Sequence, residues 1–133
     1  MTARTPPLAG RRILVGEDEY LIARDLEHTL LGAGCAEVLL APSIADCERF
    51  RDQAGFDAAV LDFRLRDDDA GDFARSLRTS GIAILFITGY EESTIPEDLA
   101  GVPLLAKPFP RPQLLARLAE VLAADGSTDG SSA

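Results

Sequence analysis

Short, mostly apolar runs recur along the chain at residues 13–15, 37–41, 58–61, 82–87 and 102–106. They are continuous and partly β-branched, the pattern of strands covered on both faces. The segments between them carry apolar residues at helical spacing. Leu21, Ile22, Leu26 and Leu30 mark the first helix, Ile44, Cys47 and Phe50 the second, and Phe73 and Leu77 the third. Leu114, Leu115, Leu118, Val121 and Leu122 form a stripe in the last. Gly32 and Gly34 stop the first helix, and Ser43 is placed to cap the second. Pro96, Gly101 and Pro103 crowd the fourth connection, so its helix is expected to be short and weak. Five strands alternating with five helices predict an α/β fold, a doubly wound five-stranded parallel sheet with helices on both faces.

The ends differ from the middle. Residues 1–10 read as a flexible lead-in and residues 125–133, small and polar, as a disordered tail, leaving one domain over residues 11–124. The formal net charge of the 133-residue chain is −9 and its pI is near 4.5. That argues against nucleic acid or an anionic membrane as a direct partner, since both need a basic face. No apolar run approaches the roughly 18–20 residues that span a bilayer. The first ten residues have no apolar core of a signal peptide. Cys35 and Cys47 make no disulfide framework, so the expected compartment is a reducing cytoplasm.

Open parallel sheets bind ligands outside the carboxyl ends of their strands, where strand order reverses. The chemistry therefore depends on what ends each strand. The first run ends in Gly16-Glu17-Asp18-Glu19, the third in Leu61-Asp62, the fourth in Thr88-Gly89-Tyr90 and the fifth in Ala106-Lys107-Pro108-Phe109. Such a fold brings three carboxylates, a hydroxyl and an ammonium to one rim. Converging carboxylates repel unless a cation neutralises them. With no Cys or His among them, the hard oxygens favour Mg²⁺ or Mn²⁺ over Zn²⁺. Asp62, after four apolar residues, is best placed as a nucleophile that forms an aspartyl-phosphate. Lys107 and Thr88 would share the charge of the transferring group.

At these residues the sequence resembles a response-regulator receiver domain, of the flavodoxin- or CheY-like fold, over about residues 11–124. The resemblance is carried by the acidic pair Glu17-Asp18, by Asp62 placed 44 positions after Asp18, by Thr88 after an apolar strand, and by Lys107-Pro108-Phe109. It implies that Asp18 binds Mg²⁺ directly and Glu17 through water, with Asp62 and the backbone carbonyl of Arg64 completing the shell. It implies that Asp62 takes a phosphoryl group from a sensor histidine kinase or a histidine phosphotransfer protein. Thr88 would turn toward the phosphate and Lys107 would pair with it. The Lys107–Pro108 bond would be cis. Signalling would run through phosphorylation-dependent contacts with a downstream protein, by a monomer or weak homodimer that is a phosphoacceptor rather than a turnover enzyme.

Three features depart from the family pattern. The loop after the acceptor lacks the usual Pro-Gly turn and reads Arg64-Leu65-Arg66-Asp67-Asp68-Asp69. The position of the usual aromatic switch, three before the Lys, is Leu104. An aromatic stands instead at Tyr90, in the run Phe86-Ile87-Thr88-Gly89-Tyr90. This resembles a subgroup of stand-alone receivers with a Phe-Ala-Thr-Gly-Tyr-like motif, and Tyr90 is the expected switch residue. The contact face would include Tyr90, Ile95 and Leu104. Two other readings compete. A Mg²⁺-dependent phosphohydrolase with an Asp nucleophile would usually carry a second carboxylate two residues on, where this chain has Arg64. A pseudo-receiver would bind partners without phosphate, but would not need Asp62, Thr88 and Lys107 together. His28 is expected at the surface and both cysteines in the core.

Overall fold

The computed structural model describes residues 8–66, 68–89 and 95–131, with side chains described as far as residue 124. In chain order the elements are β1 (Arg12–Gly16), α1 (Tyr20–Gly32), β2 (Glu37–Ala41), α2 (Ile44–Gln53), β3 (Ala58–Asp62), β4 (Arg64–Leu65), β5 (Asp68–Asp69), α3 (Gly71–Thr79), β6 (Ala83–Thr88), a 3-10 turn (Glu97–Leu99), β7 (Leu104–Ala106) and α4 (Arg111–Ser131). Five strands form one parallel sheet in the order β2-β1-β3-β6-β7. The chain steps outward from β1 to β2, then crosses back to β3 on the other side. The switch point therefore lies between the carboxyl ends of β1 and β3.

The apolar runs become central strands because both of their faces are covered. Successive side chains alternate between the faces. Ile13, Val15, Ala58, Val60, Leu85 and Ile87 pack with Leu26 and Leu30 of α1 and with Leu114, Leu118 and Leu122 of α4. Leu14, Ala59, Leu61, Ile84 and Phe86 pack with Cys47 of α2 and with Phe73, Ala74 and Leu77 of α3. Phe63 meets Phe86 edge to face, ring centroids 5.5 Å apart. The stripe of the last helix is thus core. Both cysteines are buried and free, and His28 is exposed.

Local signals match the observed ends. Ser43 caps α2, its hydroxyl accepting the Asp46 N–H at 3.1 Å. Gly34, with φ of +102°, turns the chain after α1.

Three points differ from expectation. Leu21 is not in the apolar stripe: it is 80% exposed, while Ala23, Leu26 and Leu30 are buried and Ile22 is partly buried. Ala23, Leu26 and Leu30 mark the buried face of α1, and at about 100° per residue Leu21 falls on the opposite side of the helix. Among the described residues there are four α-helices, with the 3-10 turn in the fourth connection, where Pro96, Gly101 and Pro103 interrupt the backbone ladder. The loop after Asp62 is an antiparallel hairpin, pairing Arg64 with Asp69 and Leu65 with Asp68. Helix α4 is assigned through Ser131.

Candidate functional site

The site assembles at the switch point. Gly16, the last residue of β1, has no room for a side chain: a Cβ there would lie 2.9 Å from Leu61 Cδ2 and 3.3 Å from both Cys47 Sγ and Leu65 Cδ1. The chain can pass closely over the core and deliver Glu17 beside Asp62, the last residue of β3. Glu17, Asp18 and Asp62 each offer an oxygen within 4.8 Å of the others. Glu17 and Asp62 are 2% and 8% exposed; Asp18 is the most open of the three.

Lys107, just beyond β7, points between two of these acids. Its Nζ lies 2.7 Å from Asp62 Oδ2 and 2.8 Å from Glu17 Oε1. The Asp62 contact is a hydrogen bond, whereas Glu17 Oε1 meets the ammonium as an ion pair without hydrogen-bond alignment. That buried oxygen is left short of a directional partner. Glu17 Oε2 accepts the Glu19 N–H at 3.0 Å. Burial pushes the Glu17 carboxyl above its ordinary pKa, partly offset by Lys107 and the Glu19 N–H. Burial also opposes the charge on Lys107, yet the hydrogen bond to Asp62 and the nearby carboxylates of Asp62 and Glu17 outweigh it and hold its pKa above the usual value. Three carboxylates against one ammonium leave a formal charge of −2, which a divalent cation would cancel.

The remaining contacts are backbone ones. Asp62 Oδ1 accepts the Arg64 N–H at 3.1 Å, and Asp18 Oδ2 accepts the Arg66 N–H at 2.9 Å. Thr88 ends β6, opposite Ala106, and is buried. Its carbonyl accepts the Lys107 N–H at 2.7 Å, which ties the Thr to the Lys-bearing loop. The Lys107–Pro108 bond is cis. The acidic run does not simply cap α1: Glu19 holds the N-cap position without a side-chain cap bond. Tyr90 lies outside the described residues, as does Asp67. Ile95 and Leu104 are half-buried against the α2–α3 side of the core.

The geometry brings Glu17, Asp18 and Asp62 within reach of one another and sets Lys107 against Glu17 and Asp62, with Thr88 at the neighbouring strand end. Sequence reasoning placed Lys107 at the rim but not its contact with Glu17. The two backbone N–H donors of the hairpin went unseen, because no residue type signals them.

No protein-family model and no curated protein matches the sequence. Solved structures do. A candidate response regulator from Chloroflexus aurantiacus aligns at 29% identity and a TM-score of 0.75, over 85% of this chain and 98% of that one. A response regulator receiver protein from Sinorhizobium medicae aligns at 28% identity and a TM-score of 0.76, over 87% and 97%. Its structural neighbours are response-regulator receiver domains. The receiver fold also recurs, at 21% identity and a TM-score of 0.80, in the response regulator PhyR from Brucella abortus, of which this chain spans about half (53%). The five-stranded parallel sheet matches that receiver fold. No helix among the described residues is long and apolar enough to cross a membrane.

Proposed function

We propose that the chain is a receiver of a two-component phosphorelay that accepts a phosphoryl group on Asp62 in the presence of Mg²⁺. The observation that carries this reading is the Lys107 ammonium held against both Asp62 and Glu17 at the switch point. The donor set suits a hard divalent cation. It has three carboxylates, no sulfur or imidazole, net formal charge −2 and a buried oxygen of Glu17 without an aligned donor. Glu17, Asp18 and Asp62, with the Arg64 carbonyl, would hold it. A bound Mg²⁺ would supply positive charge to the oxygens of the transferring group.

The chain's own residues do the rest. A carboxylate oxygen of Asp62 bonds to phosphorus as the P–N bond of a phosphohistidine breaks and the imidazole leaves with the electron pair. Lys107, already 2.7 Å from Asp62, follows the new negative charge. Thr88, one residue beyond the Ile87 that pairs with Asp62 on the neighbouring strand, would offer its hydroxyl to another phosphoryl oxygen. Drawing in Thr88 also draws on the loop bonded to its carbonyl, a route by which phosphate biases the surface beyond β6 and β7. That surface would meet a downstream protein, with Tyr90 as its switch.

Stoichiometry tests this against the two competing readings. With acetyl phosphate and Mg²⁺ the chain should take up one phosphoryl group and stop. With p-nitrophenyl phosphate it should show no sustained turnover. Continued release of nitrophenol would favour a phosphohydrolase, and failure to take label would favour a pseudo-receiver. Arg64 two residues after Asp62, its side chain exposed, leaves the hydrolase without its second acid.

A further inference from the structure

The hairpin after Asp62 grips two of the three acids at once. Its first residue, Arg64, donates its N–H to Asp62, and Arg66 donates its N–H to Asp18. Arg66 lies at φ +59°, the left-handed region that Gly and Asn adopt readily and a long side chain does not. It is the first residue of the two-residue connection between β4 and β5, where tight hairpins demand positive φ.

The hairpin is also braced. Leu65 is 1% exposed and packs beside Gly16, one residue before Glu17. The Ala70 N–H donates to the Phe63 carbonyl at 2.7 Å and closes the base. Asp69 Oδ1 accepts the Gly71 N–H at 2.9 Å and fastens the second strand to α3. Costly backbone conformations persist where surrounding structure enforces them, and they concentrate at functional sites.

We infer that Arg66 is a positioning residue: its left-handed backbone aims an N–H at Asp18 Oδ2 and so presets the separation of Asp18 from Asp62 for a divalent cation. This rests on the proposed cation site and goes beyond it, since the hairpin takes the place of the Pro-Gly turn and acts through backbone rather than side chain. Exposed Asp18 would otherwise sample many rotamers, each lost on binding. An outer group that orients a ligand commonly governs about 10–100-fold in metal affinity.

The test is Mg²⁺ titration calorimetry on the full chain, with no phosphodonor. Arg66→Gly, which keeps the N–H and favours positive φ, should bind within about twofold of wild type. Arg66→Val, which resists positive φ, and Arg66→Pro, which forbids it and removes the N–H, should each weaken binding about tenfold or more. All three lose the same charge, so equal losses in all three would mean that the guanidinium matters instead and would overturn the inference. Equal binding in all three would overturn it too. Should the Val and Pro variants not fold, the wild-type amide decides. The Arg66 N–H resonance should be protected from exchange, should lose protection in Asp18→Ala, and should shift with Mg²⁺ at the calorimetric midpoint. Free exchange in the wild type would sink the inference. If wild type binds no Mg²⁺ at all, the proposed function falls and this inference with it.

Discussion

Lys107 is the residue on which the site's electrostatics balance. It sits between two carboxylates, and removing it leaves both acids without their cation. Lys107→Met should therefore cost about 3 kcal/mol of stability in cation-free buffer, the range for breaking a buried ion pair. A urea midpoint within 1 kcal/mol of wild type would contradict the geometry. Cys47 tests burial on the α2–α3 side. Burial pushes its thiol up to about 12, with Asp46 and Glu48 adding to it. A raised acid favours folding while neutral, so this contribution is intact below about pH 9 and is lost as pH rises through about 12. Ellman's reagent at pH 8 should label neither Cys47 nor Cys35 in the folded protein, and both in urea. Rapid labelling of the native chain would contradict the packing. At this scale Asp62, Asp18, Glu17, Thr88 and Lys107 were legible because each follows an apolar run. Arg66 was not, because its contribution is a backbone N–H set by φ.

At the scale of elements, legibility followed periodicity. The five sheet strands were readable because two-sided burial demands continuous apolar runs, as in Ala58–Asp62, where every residue is buried. Strands β4 and β5 have two residues each and carry no period, so the sequence shows that segment only as a loop. The first helix shows the limit of spacing alone. Leu21 and Ile22 both fitted a stripe, but only one face of α1 meets the sheet. The α4 stripe was unambiguous, and it predicts a measurable loss. Leu118 is fully buried between α4 and the sheet, so Leu118→Ala should destabilise the fold by about 2–5 kcal/mol. Urea unfolding should show a lower midpoint at unchanged slope. A shift worth less than 1 kcal/mol would mean that α4 is not anchored as described.

For the whole molecule, strand order turns scattered residues into a site. Glu17 and Asp62 are 45 positions apart, and Asp62 and Lys107 another 45, yet β1, β3 and β7 end on one rim. Sequence reading reached this because strand alternation implied a parallel sheet, and a parallel sheet puts all its carboxyl ends together. It could not reach the hairpin that replaces the usual turn, which no alternation of elements implies. The account stands on Asp62 as the cation-dependent acceptor. The most direct measurement is peptide-level mapping of the phosphoryl group after exposure to acetyl phosphate, with Mg²⁺ or with EDTA. The account predicts a single label on Asp62, lost with EDTA and absent from Asp62→Asn. A label on another residue, or equal labelling without the cation, would contradict it.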